Sequence, residues 1–287
     1  MAIPADDSAE WLADAVSAGG GEVAESAQAD ALLVDAGAAD KLESILAEAP
    51  RVRWVQLSST GVDRFLHLMR DGRTWTCARS VFGPAVAEHA LALALAGLRD
   101  LPRFSRRRSW NRWGLRSLLG ARVVVVGGGS IGGAIVELLR PFDCRVEVLT
   151  SRSTQPLAEA ARDADLVFLA APLTPETAGM VGAGELRAMG PQAWIVNVAR
   201  GGLIRTEDLV RALSEGWIAG AGLDVTDPEP LPEGHPLWDL DNCLITPHVA
   251  SVEELAREPY ARLVTENVRR FAEGRELLGL VDPERGY

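Results

Sequence analysis

Residues 122–152, RVVVVGGGSIGGAIVELLRPFDCRVEVLTSR, constrain the fold of this chain more than any other stretch. The apolar run Val123–Val126 reads as a buried strand. It meets Gly127-Gly128-Gly129-Ser130-Ile131-Gly132, a G-x-G-x-x-G. A helical pattern, Ile131–Arg140, follows and is closed by Pro141; a second strand spans Arg145–Leu149. Strand, glycine turn, helix and strand within about thirty residues is the setting in which this motif binds a dinucleotide. Gly127 permits the tight turn, Gly129 lets the backbone approach a pyrophosphate, and Gly132 lets helix and strand pack closely. The pyrophosphate then sits on the helix N-terminus, at Ser130 and Ile131, where free N–H groups and the dipole favour an anion.

The tip after the second strand reads Thr150-Ser151-Arg152-Ser153. A dinucleotide fold that grips the ribose 2′-hydroxyl places Asp or Glu here. No carboxylate is present at this tip; Glu147 lies earlier, inside the strand. Hydroxyls and a guanidinium suit a 2′-phosphate, because Arg binds phosphate bidentately. Thr150, Ser151 and Arg152 therefore point to NADP, with NAD as the other option. The plainer reading of Arg152 is a solvated loop cation.

Length and charge bound the rest. The chain has 287 residues, enough for one large or two modest domains, and 47% of them are hydrophobic. A net charge of −11 argues against nucleic acid or an anionic membrane as partner. Cys77, Cys144 and Cys243 are scattered without metal-ligand spacing, so no metal is expected and reduced thiols in a cytoplasm are. Met1–Glu10 is acidic and lacks a signal-peptide pattern. The apolar helix near Ala85–Leu98 is too short to span a bilayer.

Helices and strands alternate along the chain, which indicates an α/β class. Helices are expected at Asp7–Ala18, Asp40–Ala49, Pro84–Leu101 and Val252–Glu273. Further strands are expected at Ala31–Val34, Arg53–Leu57, Leu166–Ala170, Trp194–Val198, Ile218–Leu223 and Leu244–Ile245. Four segments at strand ends carry chemistry, in the place where open α/β sheets bind ligands. Pro172-Leu173-Thr174 follows one strand, and Arg200 stands just past Trp194–Val198. Asp224, Asp227 and Glu229 follow the next strand, and His248 follows Leu244–Ile245.

Taken together, these segments resemble the D-isomer-specific 2-hydroxyacid dehydrogenases over nearly the whole chain. The resemblance rests on Gly127–Gly132, Ala170-Ala171-Pro172-Leu173-Thr174-Pro175-Glu176-Thr177, Asn197-Val198-Ala199-Arg200-Gly201, Asp224…Glu229-Pro230, Pro247-His248 and Val86-Ala87-Glu88-His89-Ala90. Within the family, the Thr-Ser-Arg tip is similar to that of NADP-using glyoxylate/hydroxypyruvate reductases.

The resemblance implies two Rossmann-like domains. A parallel, doubly wound nucleotide-binding domain, residues 84–250, is inserted in a smaller flavodoxin-like substrate domain, residues 1–83 plus 251–287. It implies a homodimer formed through the nucleotide domain. It implies that His248 is the general acid, that Glu229 pairs with it, and that Arg200 holds the substrate carboxylate and carbonyl oxygen. A carboxylate beside an imidazole favours its charged form. The backbone N–H groups of Ser59, Thr60 and Gly61 are expected to bind the substrate carboxylate. Asp224 is expected at the nicotinamide carboxamide, and the cofactor surface extends to Pro172, Thr177, Ala199 and His248. One departure is the N-terminus, where only Met1–Pro4 precedes Asp7 and the family's first strand is short or lost.

Other histidines read as structural: His89 in the core or hinge, His235 in a loop, His67 on a helix surface. Arg106-Arg107-Arg108 reads as a solvated face or dimer contact. Trp110 and Trp113 read as packing residues, one of them a candidate for the pocket wall. The leading expectation is reduction of a small 2-oxo acid such as glyoxylate or hydroxypyruvate to the D-2-hydroxy acid. The alternatives are an NAD-dependent phosphoglycerate-like dehydrogenase and a nucleotide-sensing, corepressor-like binding protein.

Overall fold

The computed structural model describes residues 1, 9–34, 41–70, 72–108, 110–111 and 115–287. The expected strand within Met1–Pro4 (beyond Met1 itself), the helix starts at Asp7 and Asp40, and Trp113 lie outside the described residues. The chain forms two compact units, Met1–Phe82 with Val252–Tyr287 and Gly83–Ser251.

The first unit holds α1 (Ala9–Ala18), β1 (Ala31–Val34), α2 (Leu42–Glu48), β2 (Trp54–Leu57), β3 (Thr74–Thr76) and, from the C-terminal part, α9 (Glu253–Ala272). Its strands pair in parallel in the order β1-β2-β3. β1 and β2 are buried along their whole length because both faces of the sheet are covered. Leu32, Val34, Val55 and Leu57 meet Leu42 and Leu46 of α2 on one face. Ala31, Leu33 and Trp54 meet Val16 of α1 and Val264 of α9 on the other. β3 is not among the strands expected from the sequence. An antiparallel bridge, Thr76 to Leu280, covers its free edge, and the Cys77 N–H donates to the Gly279 carbonyl at 2.9 Å. Gly279 has φ +73°, and a Cβ there would lie 2.4 Å from the Cys77 oxygen, so only glycine fits.

A sealed polar network crosses this sheet. The Trp54 indole donates to Thr76 Oγ1 at 2.7 Å, and Thr76 Oγ1 donates to Gln56 Oε1 at 2.8 Å. Asn267 of α9 donates to Gln56 Oε1 at 2.9 Å and to the Leu278 carbonyl at 3.0 Å, and accepts from the Leu278 N–H at 2.8 Å. Gln56, Thr76 and Asn267 are each 0% exposed.

The second unit is a six-stranded parallel sheet in the order β5-β4-β6-β7-β8-β9. Its strands are β4 (Arg122–Val126), β5 (Arg145–Leu149), β6 (Leu166–Leu169), β7 (Trp194–Asn197), β8 (Gly220–Leu223) and β9 (Cys243–Ile245). β4 has β5 on one side and β6 on the other, so the strand order reverses there and a crevice forms at the carboxyl ends. Helices α3 (Gly83–Leu98), α4 (Leu101–Arg106), α5 (Ser130–Leu139), α6 (Leu157–Ala160), α7 (Ala183–Met189) and α8 (Thr206–Ser214) complete the unit. α3 lies against β7 and β8: a Cβ on Gly97 would meet the Trp194 ring at 2.4 Å, and one on Gly222 would meet Leu93 at 3.0 Å. Leu186 of α7 and Leu209 and Leu213 of α8 join the core with Val124, Val126, Leu169 and Ile195.

Two expectations need correction. The helix expected over Pro84–Leu101 ends at Leu98; Asp100 turns the chain at φ 51°, and α4 begins at Leu101. Pro102 explains the break, since inside a continuous helix it would lack an N–H and clash with a carbonyl one turn back. Trp110, expected to pack, is 92% exposed, and Arg106–Arg108 before it are exposed too. Among the described residues, no helix is long and apolar enough to cross a membrane.

Candidate active site

The glycine turn sits at the carboxyl end of β4. The Gly127 N–H donates to the Leu149 carbonyl of β5 at 2.8 Å, and its φ is +113°. A Cβ on Gly127 would lie 2.4 Å from the Ala170 oxygen after β6, and one on Gly132 would lie 1.9 Å from the Gly127 oxygen. Both positions are closed to any side chain. Gly129 is the N-cap of α5, and the space where its Cβ would stand is open. A closed turn below and an open cradle above, at the start of a ten-residue helix, fit a pyrophosphate. Ser130 and Ile131 supply the first helical N–H groups there. Next to the cradle, the Thr174 N–H donates to Thr177 Oγ1 at 2.8 Å, and Thr177 Oγ1 donates to the Pro172 carbonyl at 2.7 Å, which folds the loop after β6.

The tip after β5 is a small turn. The Ser153 N–H donates to the Thr150 carbonyl at 2.9 Å, the Thr150 N–H to Ser153 Oγ at 3.0 Å, and the Arg152 N–H to Thr150 Oγ1 at 3.2 Å. Thr150, Ser151, Arg152 and Ser153 are all exposed, so their side chains are presented together.

Three loops at the ends of β7, β8 and β9 gather the acid–base groups. Asn197, the last residue of β7, is buried and shapes the first loop. Its Nδ2 donates to the Arg200 carbonyl at 2.8 Å, and its Oδ1 accepts from the Ala199 N–H at 3.1 Å. Arg200 is thereby held in extended backbone, and its guanidinium donates to the Ala199 carbonyl at 2.8 Å. The loop packs on the next one so tightly that a Cβ on Gly201 would lie 1.9 Å from the Thr226 oxygen.

Glu229 Oε1 is 2.6 Å from Nδ1 of His248. Their side chains are 33% and 43% exposed, so the pair opens to solvent. Its other oxygen accepts from the Thr226 N–H at 3.4 Å. The backbone carbonyl of Asp227, between the two, accepts from Thr206 Oγ1 at 2.7 Å. With Nδ1 engaged, Nε2 of His248 has no hydrogen-bond partner among the described residues. His248 adopts φ +54°, a left-handed conformation that costs a non-glycine residue roughly 1–2 kcal/mol.

Hydrogen bonds around Asp224 hold that conformation. The His248 N–H donates to the Asp224 carbonyl at 2.8 Å. The Asp224 carboxylate, 2% exposed, accepts from Thr246 Oγ1 at 2.6 Å, the Val249 N–H at 2.9 Å and the Ala250 N–H at 3.0 Å. The expected carboxamide contact of Asp224 must share a carboxylate that already binds its own loop three times. Asn197 and Thr246 are not among the site residues expected individually from the sequence. The signal was available, since each is a polar residue at the end of an apolar strand.

Ser59, Thr60 and Gly61 follow β2 in the first unit. Ser59 Oγ donates to the Gly61 carbonyl at 2.8 Å and Thr60 Oγ1 to the Ala78 carbonyl at 3.2 Å. Their backbone N–H groups meet no acceptor among the described residues. Burial pushes the thiols of Cys77, Cys144 and Cys243 up, Cys243 to about 12, so none is a ready thiolate nucleophile. No cluster of three or more metal-ligating side chains occurs among the described residues.

A doubly wound sheet with a pyrophosphate cradle at its switch point, and an imidazole–carboxylate pair beyond the strands nearby, defines a dinucleotide-dependent oxidoreductase. Residues 90–250 match the family described as D-isomer specific 2-hydroxyacid dehydrogenase, NAD binding domain. Glyoxylate reductase from Pyrococcus furiosus is 36% identical over 267 residues, covering 84% of this chain and 79% of that protein. Glyoxylate reductase/hydroxypyruvate reductase from Mus musculus is 32% identical over 253 residues, covering 80% and 77%. A D-isomer specific 2-hydroxyacid dehydrogenase from Xanthobacter autotrophicus, solved in complex with NADPH and MES, superposes with a TM-score of 0.85 at 29% identity over 100% of this chain and 98% of that one. The chain belongs to the D-isomer specific 2-hydroxyacid dehydrogenase family and is an NAD(P)-dependent enzyme.

Proposed function

We propose that this enzyme reduces a small 2-oxo acid to the 2-hydroxy acid (the D-isomer where a stereocentre forms) with NADPH as the favoured cofactor, and that glyoxylate and hydroxypyruvate are its first substrates to test. The observation that carries the reading is the 2.6 Å contact between Glu229 and Nδ1 of His248, with Arg200 past the strand next to that of Glu229. Glu229 fixes the ring so that Nε2 presents the proton. His248 gives that proton to the carbonyl oxygen, and Arg200 binds the substrate carboxylate and polarises the carbonyl. When bound, the nicotinamide supplies the hydride that goes to the carbonyl carbon. Gly127, Gly129, Ser130, Ile131 and Gly132 cradle the pyrophosphate; Pro172, Thr177 and Ala199 line the remainder of the cofactor surface. The backbone N–H groups of Ser59, Thr60 and Gly61 bind the substrate carboxylate in this reading.

Support for the substrate class comes from the names of the glyoxylate reductases above, and support for NADPH comes from Thr150–Arg152 and the NADPH-bound relative. The reading includes a homodimer; exposed Trp110, next to an arginine run, is a side chain such a contact would cover. The test follows nicotinamide absorbance with NADPH and NADH against glyoxylate, hydroxypyruvate, pyruvate and longer 2-oxo acids. Turnover that is fastest with NADPH and the two small acids is expected. Preference for NADH overturns the phosphate role of Arg152. Nucleotide binding without turnover on any acid overturns the enzymatic substrate reading in favour of a sensor.

A further inference from the structure

We infer that His89, on α3, is a positioning residue for His248, acting through Thr246 and Asp224. The inference rests on the reading of His248 as the proton donor. His89 Nε2 lies 2.9 Å from Thr246 Oγ1 and 3.4 Å from Asp224 Oδ1. Thr246 Oγ1 lies 2.6 Å from Asp224 Oδ1. A carboxylate only accepts, so the single hydroxyl proton of Thr246 goes to Asp224. The hydroxyl can then only accept from His89, and the imidazole must carry a proton on Nε2. The chain of donation therefore runs one way, from His89 through Thr246 to Asp224.

What Asp224 does with its remaining capacity gives the chain its purpose. Its carboxylate binds the N–H groups of Val249 and Ala250, and its carbonyl binds that of His248. Those contacts at and after the left-handed His248, with the Thr246 contact before it, fix the direction in which Nε2 points. Backbone in that conformation persists only where its surroundings over-determine it. His89 anchors the chain to a long helix of the same unit, so the loop is referenced to the sheet and not to solvent. Its 23% side-chain exposure leaves it out of reach of bulk water for most of its surface.

The test compares His89→Leu, His89→Gln and Thr246→Val with wild type, using NADPH and hydroxypyruvate. His89→Leu removes the donor; His89→Gln keeps an N–H for Thr246; Thr246→Val breaks the chain with almost no change in volume. His89→Leu and Thr246→Val are expected to lower kcat by about 10–100-fold, because a misdirected acid is slow even when every group is present. NADPH affinity, read by fluorescence titration, is expected to stay within about twofold, and His89→Gln to retain kcat within about threefold. The isotope effect with NADPH deuterated at the transferred hydrogen is expected to rise in the two slow variants, since chemistry then limits turnover. A merely structural histidine would lower the active fraction and leave that isotope effect unchanged. The inference is overturned if His89→Leu turns over like wild type, or if Gln and Leu are equally slow with an unchanged isotope effect. If His89→Leu does not fold, Thr246→Val decides on the same criteria. His248→Asn separates the two ideas: wild-type turnover in that variant removes the reading of His248 itself, whereas an inactive His248→Asn beside a fully active His89→Leu removes only the role of His89.

Discussion

Each unit of this chain contains a buried polar network, and the two are built for different ends. In the first unit, Trp54, Gln56, Thr76 and Asn267 are sealed and terminate on backbone groups of Leu57 and Leu278. In the second, His89, Thr246 and Asp224 are largely buried, but the chain ends on a loop whose histidine is 43% exposed on its side chain. The chemistry is the same, fully satisfied side chains in low dielectric, where losing one partner is costly. The first network joins strand, strand and helix and has no outlet, so it specifies packing. The second has an outlet, and its geometry is passed to a reacting group.

That contrast is broken or sharpened by substituting one residue at each place. The largest effect is expected at the outlet. His248→Asn removes the proton donor and should lower kcat by roughly 10²–10⁴-fold. The melting temperature should hold, because Asn is among the few residues that visit the left-handed backbone found here at φ +54°. Stopped-flow or steady-state turnover alongside thermal unfolding checks both halves. A loss of folded protein with unchanged turnover per folded molecule would place His248 with the structural network instead.

The sealed network should answer in the opposite way. Asn267→Leu orphans the N–H and carbonyl of Leu278 and one contact of Gln56, at a cost of about 2–4 kcal/mol in stability. Urea unfolding measures the loss, and kcat at a temperature where the variant remains folded should match wild type. A variant that is stable but slow would show that this network, too, serves the chemistry.

The sequence made the second unit more legible than the first. Its inner strands β4, β6 and β7 are four- and five-residue, largely apolar and largely buried runs, and the glycines stand where backbone closes on backbone, so hydrophobicity and the Gly127–Gly132 pattern point the same way. β3 escaped because it is only Thr74–Thr76, and its edge is completed by residues near Leu280, some two hundred positions away, a pairing no local pattern announces. α8 was legible in principle, with Leu209, Ala212 and Leu213 at helical spacing on its buried side. At the site, residue types at strand ends brought forward Arg200, the acids Asp224, Asp227 and Glu229, and His248, and the family resemblance took Arg200, Glu229 and His248 from them as a set. The left-handed turn at His248 and the bonding of Asp224 were not legible, since both depend on which loop N–H groups reach one carboxylate. His89 read as a core or hinge residue from its apolar helix face; its contact with Thr246 spans 157 positions.

The smallest effect is expected at the exposed tip after β5, where no buried network is involved. The turn there satisfies itself through backbone and hydroxyl contacts between Thr150 and Ser153, none of which uses the Arg152 guanidinium. Removing that guanidinium should therefore leave fold and kcat alone and act only on whatever anion it meets. Arg152→Gln is expected to raise KM for NADPH by about 10-fold, the value of one charge-assisted contact in partial solvent, while KM for NADH stays unchanged. Raising the salt concentration should weaken wild-type NADPH binding toward that of the variant, because an exposed charge pair is screened. An equal rise for both cofactors would mean that Arg152 touches a part common to the two, and the preference for NADPH would then rest on Thr150 and Ser151.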